Sequence, residues 1–239
     1  MERLFYCVVN LVAVKTTLTR LINGLIPHYY NGQLTGQIYL DGKEVKDYQL
    51  YQIAPMVGSV FQNPRTQFYN VDTTSEIVFG CEKYGGLPVQ GKCWQGLENT
   101  TKCLKLENLL GRSLFALSGG EKQKIACASA DAICPNTFVL DEPSSNLDIS
   151  SIKDLTEVIR QWQSENKTVI VAEHRLYYLA PYADRIIYMK RGEICNEYTR
   201  EEFLELDPKE LKKMGLRALN PFDLMPEKNP EANEKRPAD

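Results

Sequence analysis

Histidine is scarce in this chain: only two occur in 239 residues, His28 and His174. Seven cysteines are scattered without a Cys-x-x-Cys pair, so no metal-ligand spacing of the zinc type is available. An odd, unpatterned set of thiols reads as reduced cysteine in a cytosolic protein. No apolar run reaches membrane-spanning length, and no basic segment leads into an apolar one at the N-terminus, so any membrane role passes through a partner. Neither sign of charge is in excess. With 28 basic and 31 acidic residues interspersed, the net charge of −3 gives no electrostatic footprint for nucleic acid or an anionic membrane. Glycine is missing from the first 23 residues, which include Lys15-Thr16-Thr17 at the start of a helical pattern. A lysine in that setting ends a phosphate loop, Gly-x-x-x-x-Gly-Lys-Ser/Thr, where glycine lets successive backbone N–H groups turn inward. Here the two glycine positions hold Val9 and Val14, β-branched residues that resist positive φ.

What is present suits one large domain or two small ones, with a hydrophobic share of 43% that can bury a sizeable core. Apolar residues from Thr16 to Leu25 fall at helical spacing, closed by Gly24 and Pro27. "GQIYLDGKEV" alternates around Asp41-Gly42 and predicts a hairpin. "MVGSVFQ" predicts a buried strand ending at Gln62. Between Thr73 and Leu114 the pattern is mainly helical, interrupted by Gly85, Gly86, Gly91 and Gly96 at about 1 kcal/mol each. "TFVLDE" and "TVIVAEH" are apolar runs ending in carboxylates, the form of parallel strands that deliver polar groups to one sheet edge. "RIIYMKRGEIC" predicts a second hairpin, and the tail from Pro221 has the composition of a disordered segment.

Two stretches carry chemistry. Asp141 and Glu142 end a strand as adjacent carboxylates, and adjacent strand residues point opposite ways. One then serves Mg²⁺ through water while the other polarises an attacking water. Alone, the pair reads equally well as an acidic turn. Ser118, Gly119 and Gly120 open a strongly helical run, and such a helix start attracts an anion. Alone, it reads as a serine N-cap with Glu121 completing a capping box.

In series, Lys15-Thr16-Thr17, Phe61-Gln62, Leu-Ser-Gly-Gly-Glu, Leu-Asp-Glu-Pro, Ser-Asn-Leu-Asp and Glu173-His174-Arg175 resemble the nucleotide-binding subunit of ATP-binding cassette (ABC) transporters, over roughly residues 14 to 200. The resemblance implies an α/β fold with a P-loop NTPase-like core, as an ATPase domain over 1–205 with a helical subdomain at about 73–130. A C-terminal extension follows over 206–239. It implies Mg-dependent ATP hydrolysis at a dimer interface. Lys15, Thr16 and Thr17 would hold the phosphates, with Thr16, Gln62 and Asp141 around Mg²⁺. Glu142 would be the general base and His174 would hold the γ-phosphate. Ser118, Gly119 and Gly120 would contact ATP bound to the opposite subunit, and Asp148 would lie across the seam. The implied partners are a second ABC ATPase subunit, identical or not, and an integral membrane subunit at the cytoplasmic face of the membrane, with no nucleic acid. "FQNPRTQFYN", "EIVFGCE" and "AEHR" are similar to energy-coupling-factor importers of vitamins and transition-metal ions.

The chain departs from that family in two places. Only fourteen residues precede Lys15, where such subunits begin with several strands and an adenine-stacking aromatic residue, so the N-terminus reads as incomplete. Val9, Val12 and Val14 stand where Gly-x-x-Gly-x-Gly-Lys wants glycine, so the phosphate loop reads as corrupted. Valine codons begin GT. Read one register over, codon degeneracy permits Gly-Glu-Val-Val-Leu-Leu-Cys-Gly-Lys-Ser-Gly-Cys-Gly-Lys, a complete phosphate loop after a buried strand. The chain as written is expected to bind ATP weakly. Two rival readings stand beside this one. The first is a soluble ABC ATPase acting on DNA or ribosomes, which a coiled-coil insertion or a strongly basic face would mark. The second is a non-catalytic subunit that keeps the dimer surface after losing its own site.

Overall fold

A computed structural model describes residues 5–10, 15–84, 97–98 and 100–216. Runs rich in valine, isoleucine and aromatic residues supply the strands, and turn residues bound them. In chain order the elements are β1 (Phe5–Asn10), α1 (Lys15–Ile22), α2 (Leu25–His28), β2 (Tyr39–Leu40), β3 (Lys43–Glu44), α3 (Leu50–Ile53), β4 (Val57–Val60) and α4 (Thr73–Tyr84). Next come α5 (Gly119–Asp131), β5 (Thr137–Asp141), α6 (Ile149–Ser164), β6 (Thr168–Glu173), β7 (Arg185–Lys190), β8 (Glu193–Thr199), α7 (Arg200–Leu204) and α8 (Pro208–Lys213). The main sheet has the order β4-β5-β6-β1-β7-β8, parallel throughout except for β8.

Both predicted hairpins form. Asp41 and Gly42 take φ of 49° and 80° between β2 and β3, and Arg191 and Gly192 take 53° and 91° between β7 and β8. Two consecutive positive φ values match the right-handed twist of the strands they join. The strand in "MVGSVFQ" stops at Val60, short of Gln62, because the Phe61 N–H donates to Gln67 Oε1 at 3.2 Å instead of joining the ladder. Of the helical stretch predicted from Thr73, α4, helical residues at 97–98 and 100–103, and two 3₁₀ turns at Glu107–Leu109 and Leu114–Ala116 are described. Gly85, Gly86, Gly91 and Gly96, like the tail from Pro221, lie outside the described residues.

β1 is the finding that the sequence reading does not contain. It lies in the middle of the sheet, pairing Val8 with Ala172 of β6 and with Ile187 of β7. Among the described residues it is the one strand ahead of α1.

The core follows helical spacing on α6, where Ile152, Leu155, Val158, Ile159 and Trp162 are buried. Trp162 stacks on Phe138 of β5 at 3.8 Å between ring centroids, and its Nε1 donates to Asp131 Oδ1 at 2.9 Å. Past residue 205 the chain packs back onto this core. Leu211 and Leu216 are buried, and Tyr188 Oη donates to the Met214 carbonyl at 3.1 Å.

Candidate active site

Because β1, β5 and β6 are parallel, their carboxyl ends at Asn10, Asp141 and Glu173 share one sheet edge. Lys15, Thr16 and Thr17 open α1 just beyond that edge, and α1 packs against β5.

Asp141 is buried at the end of β5. Glu142 leaves the strand at once: its φ is 45°, its N–H donates to the Ala172 carbonyl at 2.8 Å, and its own carbonyl accepts from Ser145 N–H at 3.1 Å. A left-handed φ on a glutamate costs about 1–2 kcal/mol and persists only where surrounding contacts enforce it. This turn, rather than the strand alternation expected from sequence, separates Glu142 from Asp141. It also aims the carboxylate at two side chains from other elements. Gln62 Nε2 donates to Glu142 Oε2 at 3.0 Å, and His174 Nε2 lies 3.0 Å from Glu142 Oε1. Three predicted site residues thus meet at one carboxylate.

Ser118 caps α5. Its Oγ accepts from Glu121 N–H at 3.2 Å while its N–H donates to Glu121 Oε2 at 2.7 Å, the reciprocal capping box. That Ser118 N–H bond holds the Glu121 carboxyl below the usual carboxylate range. The two glycines that follow differ. A Cβ on Gly120 would collide with Ser151 Oγ and stand 2.7 Å from Ser151 Cβ, whereas on Gly119 it would meet only the Asn146 carbonyl at 3.5 Å. Asp148 caps α6, accepting from Ser151 N–H at 2.7 Å, and this bond depresses its carboxyl. Between these parts lies a cavity of about 260 Å³ lined by Gln62, Gly119, Lys122, Gln123 and Asn146. Lys122 is buried there and donates from Nζ to the Leu117 carbonyl, and burial lowers its ammonium below the usual lysine range.

Among the described residues no group of three or more His, Cys, Asp or Glu could hold a metal by itself. The proposed Mg²⁺ set, the Thr16 hydroxyl, the Gln62 amide and the Asp141 carboxylate, offers only oxygen ligands. Mg²⁺ favours such ligands while keeping waters and substrate phosphates in its shell. Sequence reasoning assigned no role to Glu173, Ser144 and Arg175, which join the two loops of the site. The available signal was a carboxylate as the last residue of a buried strand.

The family profile described as ABC transporter matches residues 13–145. An ABC transporter ATP-binding protein of Treponema denticola is 50% identical over 213 residues, 89% of this chain and 43% of that protein. One from Pyrococcus abyssi is 34% identical over 204 residues, 85% of this chain and 72% of that protein. The chain thus spans less than half the length of its relative from Treponema. In structure it is similar to cbiO1 of Clostridium perfringens, part of the ABC transporter complex cbiONQ, with a TM-score of 0.75, 24% identity and coverage of 90% of this chain and 84% of that one. It is also similar to MJ0796, a dimeric bacterial ABC transporter cassette, with a TM-score of 0.71, 22% identity and coverage of 84% and 87%. These two likenesses show the fold, and the profile with the Pyrococcus relative shows the rest: this chain belongs to the ABC transporter ATP-binding family, whose members hydrolyse ATP with Mg²⁺.

Proposed function

We propose that this chain is an ATP-hydrolysing cassette of an importer, paired with a second cassette and seated on a membrane subunit. One observation carries the reading: Gln62 and His174 converge on Glu142 at 3.0 Å from opposite sides. A carboxylate so held is fixed in direction and still partly exposed, as a general base for water must be. Asp141, Thr16 and Gln62 would hold Mg²⁺, which when bound neutralises phosphate charge. Lys15 and Thr17 bind the phosphates, and His174 fixes the γ-phosphate opposite Glu142. Ser118, Gly119 and Gly120 serve the nucleotide of the partner cassette, and Asp148 stands at the seam.

Support for a membrane partner comes from exposed apolar residues beside this site. Tyr69, Val71 and Phe115 are 81%, 66% and 81% exposed, and Tyr69 stacks on Phe79. No helix among the described residues is long and apolar enough to cross a membrane. In this reading the cassette sits at the membrane's cytoplasmic face through that partner. Likeness to a part of the cbiONQ complex and the "AEHR" sequence support an energy-coupling-factor importer of a vitamin or transition-metal ion. Val9, Val12 and Val14 favour a second reading, in which this cassette binds little ATP itself and lends Ser118–Gly120 to its partner's site. The test is Mg-dependent phosphate release by this chain with a partner cassette carrying an intact phosphate loop. Release lost in a Glu142→Gln variant supports the first reading. Release that survives it but is lost in Gly119→Asp supports the second, and no release from any pairing rejects both.

A further inference from the structure

Glu173, the last residue of β6, is 2% exposed, and its carboxylate gathers five donors. Oε1 accepts from Ser144 Oγ at 2.9 Å and from the backbone N–H groups of His174 and Arg175, both at 3.1 Å. Oε2 accepts from Tyr178 Oη at 3.3 Å and from Ser144 N–H at 3.5 Å. Arg175 closes the arrangement from the other side, donating from Nη1 to the carbonyls of Ser144 at 3.2 Å and Leu147 at 3.4 Å. The segment from Ser144 to Leu147 is therefore tied at both ends to residues 173–175. Glu142 lies just before that segment and Asp148 just after it, while Asn146 within it faces Gly119.

Glu173 is saturated with hydrogen bonds and buried, so it has no free lone pair to offer water or nucleotide. We propose that it is a positioning residue. It locks the backbone of His174 to the Ser144–Leu147 loop, and so holds the His174 ring at hydrogen-bond distance from Glu142 while the loop beside Gly119 moves with them. The geometry matters because displacing a reacting group by about 1 Å costs on the order of 10²-fold in rate. As a role in turnover, this rests on the reading of Glu142 and His174 as the reacting pair.

Substitutions separate positioning from bulk. Glu173→Gln keeps an oxygen for Ser144 Oγ, His174 N–H and Arg175 N–H, and its new NH₂ group faces Tyr178 Oη, which has lone pairs to accept it. Only the longest contact, to Ser144 N–H, is lost. Glu173→Ala loses all five.

The chain has two histidines, so a ring carbon–proton spectrum of the labelled full chain gives one signal for His174 and a reference from His28, whose Nε2 lies 3.1 Å from the Val45 carbonyl. A Glu142→Gln variant marks where the His174 signal falls without its carboxylate partner. At neutral pH, Glu173→Ala is expected to move the His174 signal to that position and leave His28 unmoved, while Glu173→Gln leaves both in place. With a loop-competent partner cassette, the same Ala variant should lower kcat about 10–100-fold with KM changed less than about twofold. A folded Glu173→Ala chain whose His174 signal stays put overturns the proposal, as does a Gln variant that moves it equally. Should Glu173→Ala fail to fold, Ser144→Ala removes one tie, and an unmoved His174 signal there overturns the proposal as well. The spectrum needs neither nucleotide nor turnover, so its outcome stands apart from that of the hydrolysis test.

Discussion

His174 Nε2 lies 3.0 Å from Glu142 Oε1, although the two residues leave different strands, β6 and β5. The contact is made by the left-handed turn at Glu142, which carries its carboxylate away from Asp141 toward the neighbouring strand end. Such a turn is kept despite its cost where the aimed side chain has work to do. In an assembly with intact phosphate loops, Glu142→Gln should retain Mg-ATP and lose turnover by about 10²–10⁴-fold, the usual share of a general base. Single-turnover phosphate release with parallel nucleotide binding checks this, and near-normal hydrolysis would remove Glu142 from the role.

Gly119 and Gly120 should part company under alanine substitution. At Gly120 the added methyl meets Ser151 inside the fold, so Gly120→Ala should cost about 1–3 kcal/mol as overpacking. Ser151→Gly should recover most of it. At Gly119 only an ordinary contact awaits the methyl, and alanine is the better helix former by up to about 1 kcal/mol. Gly119→Ala should thus leave the melting temperature unchanged or raise it, yet weaken ATP-driven association with a partner cassette. Thermal melts and sedimentation read the two effects separately. Normal association would leave Ser118-Gly119-Gly120 as a capping box alone.

The legible parts of this chain are those whose signals are local. The hairpins follow from Asp41-Gly42 and Arg191-Gly192, and the capping box from Ser118 with Glu121. β5 and β6 follow from short apolar runs closed by carboxylates. β1 was hidden by a competing signal. Counting back from Lys15 assigns Val9 to a phosphate loop, whereas the backbone carries the strand through Val9, paired with Glu173 and Tyr188, to Asn10. Here the β-propensity of "FYCVVN" prevails over motif spacing. Glu173 was illegible for another reason: Ser144, which supplies two of its five donors, comes from a different loop, and a tertiary meeting of that kind has no sequence period.

Acid should loosen the helix starts. Asp148, Glu121 and Asp72 each accept a backbone N–H, from Ser151, Ser118 and Ser75 respectively, which holds their carboxyls below the usual range. A depressed folded pKa means stability that is present above the unfolded value of about 4 and lost as pH falls through the folded one. Asp131 runs the other way, because burial raises its carboxyl, so its ionisation opposes folding as pH rises. The three capping carboxyls should make the melting temperature decline as pH falls below about 4, while Asp131 makes it rise as pH falls toward about 4 from above. Asp148→Asn keeps an acceptor at the N-cap and should shallow that decline, as pH-dependent melts of both proteins would show. An unchanged slope would mean that this cap does not contribute to it.

The loop ahead of Lys15 is the sharpest test of the family chemistry in this chain. Counted back from Lys15, Val9, Val12 and Val14 stand where the family pattern has glycine, which would let backbone N–H groups turn toward a polyphosphate; Val9 belongs to β1, while Val12 and Val14 fall outside the described residues. A hydrogen bond to a charged group contributes about 1.5–3 kcal/mol, and each 1.4 kcal/mol is about tenfold in affinity. Replacing Val12 and Val14 with glycine, and leaving Val9 in its strand, should therefore tighten Mg-ATP binding at least about tenfold, even if only one donor is regained. Titration calorimetry on both proteins measures it, with Lys15→Ala in each as a control that the gain is at this site. Resequencing the source DNA through the Val14 and Lys15 codons, where a gained base would let the two registers rejoin, asks separately whether the encoded loop carries the glycines that the alternative reading frame permits. If the DNA confirms the valines and the valine-bearing chain binds Mg-ATP as tightly as its glycine variant, both the frame reading and the need for glycine in this loop are wrong.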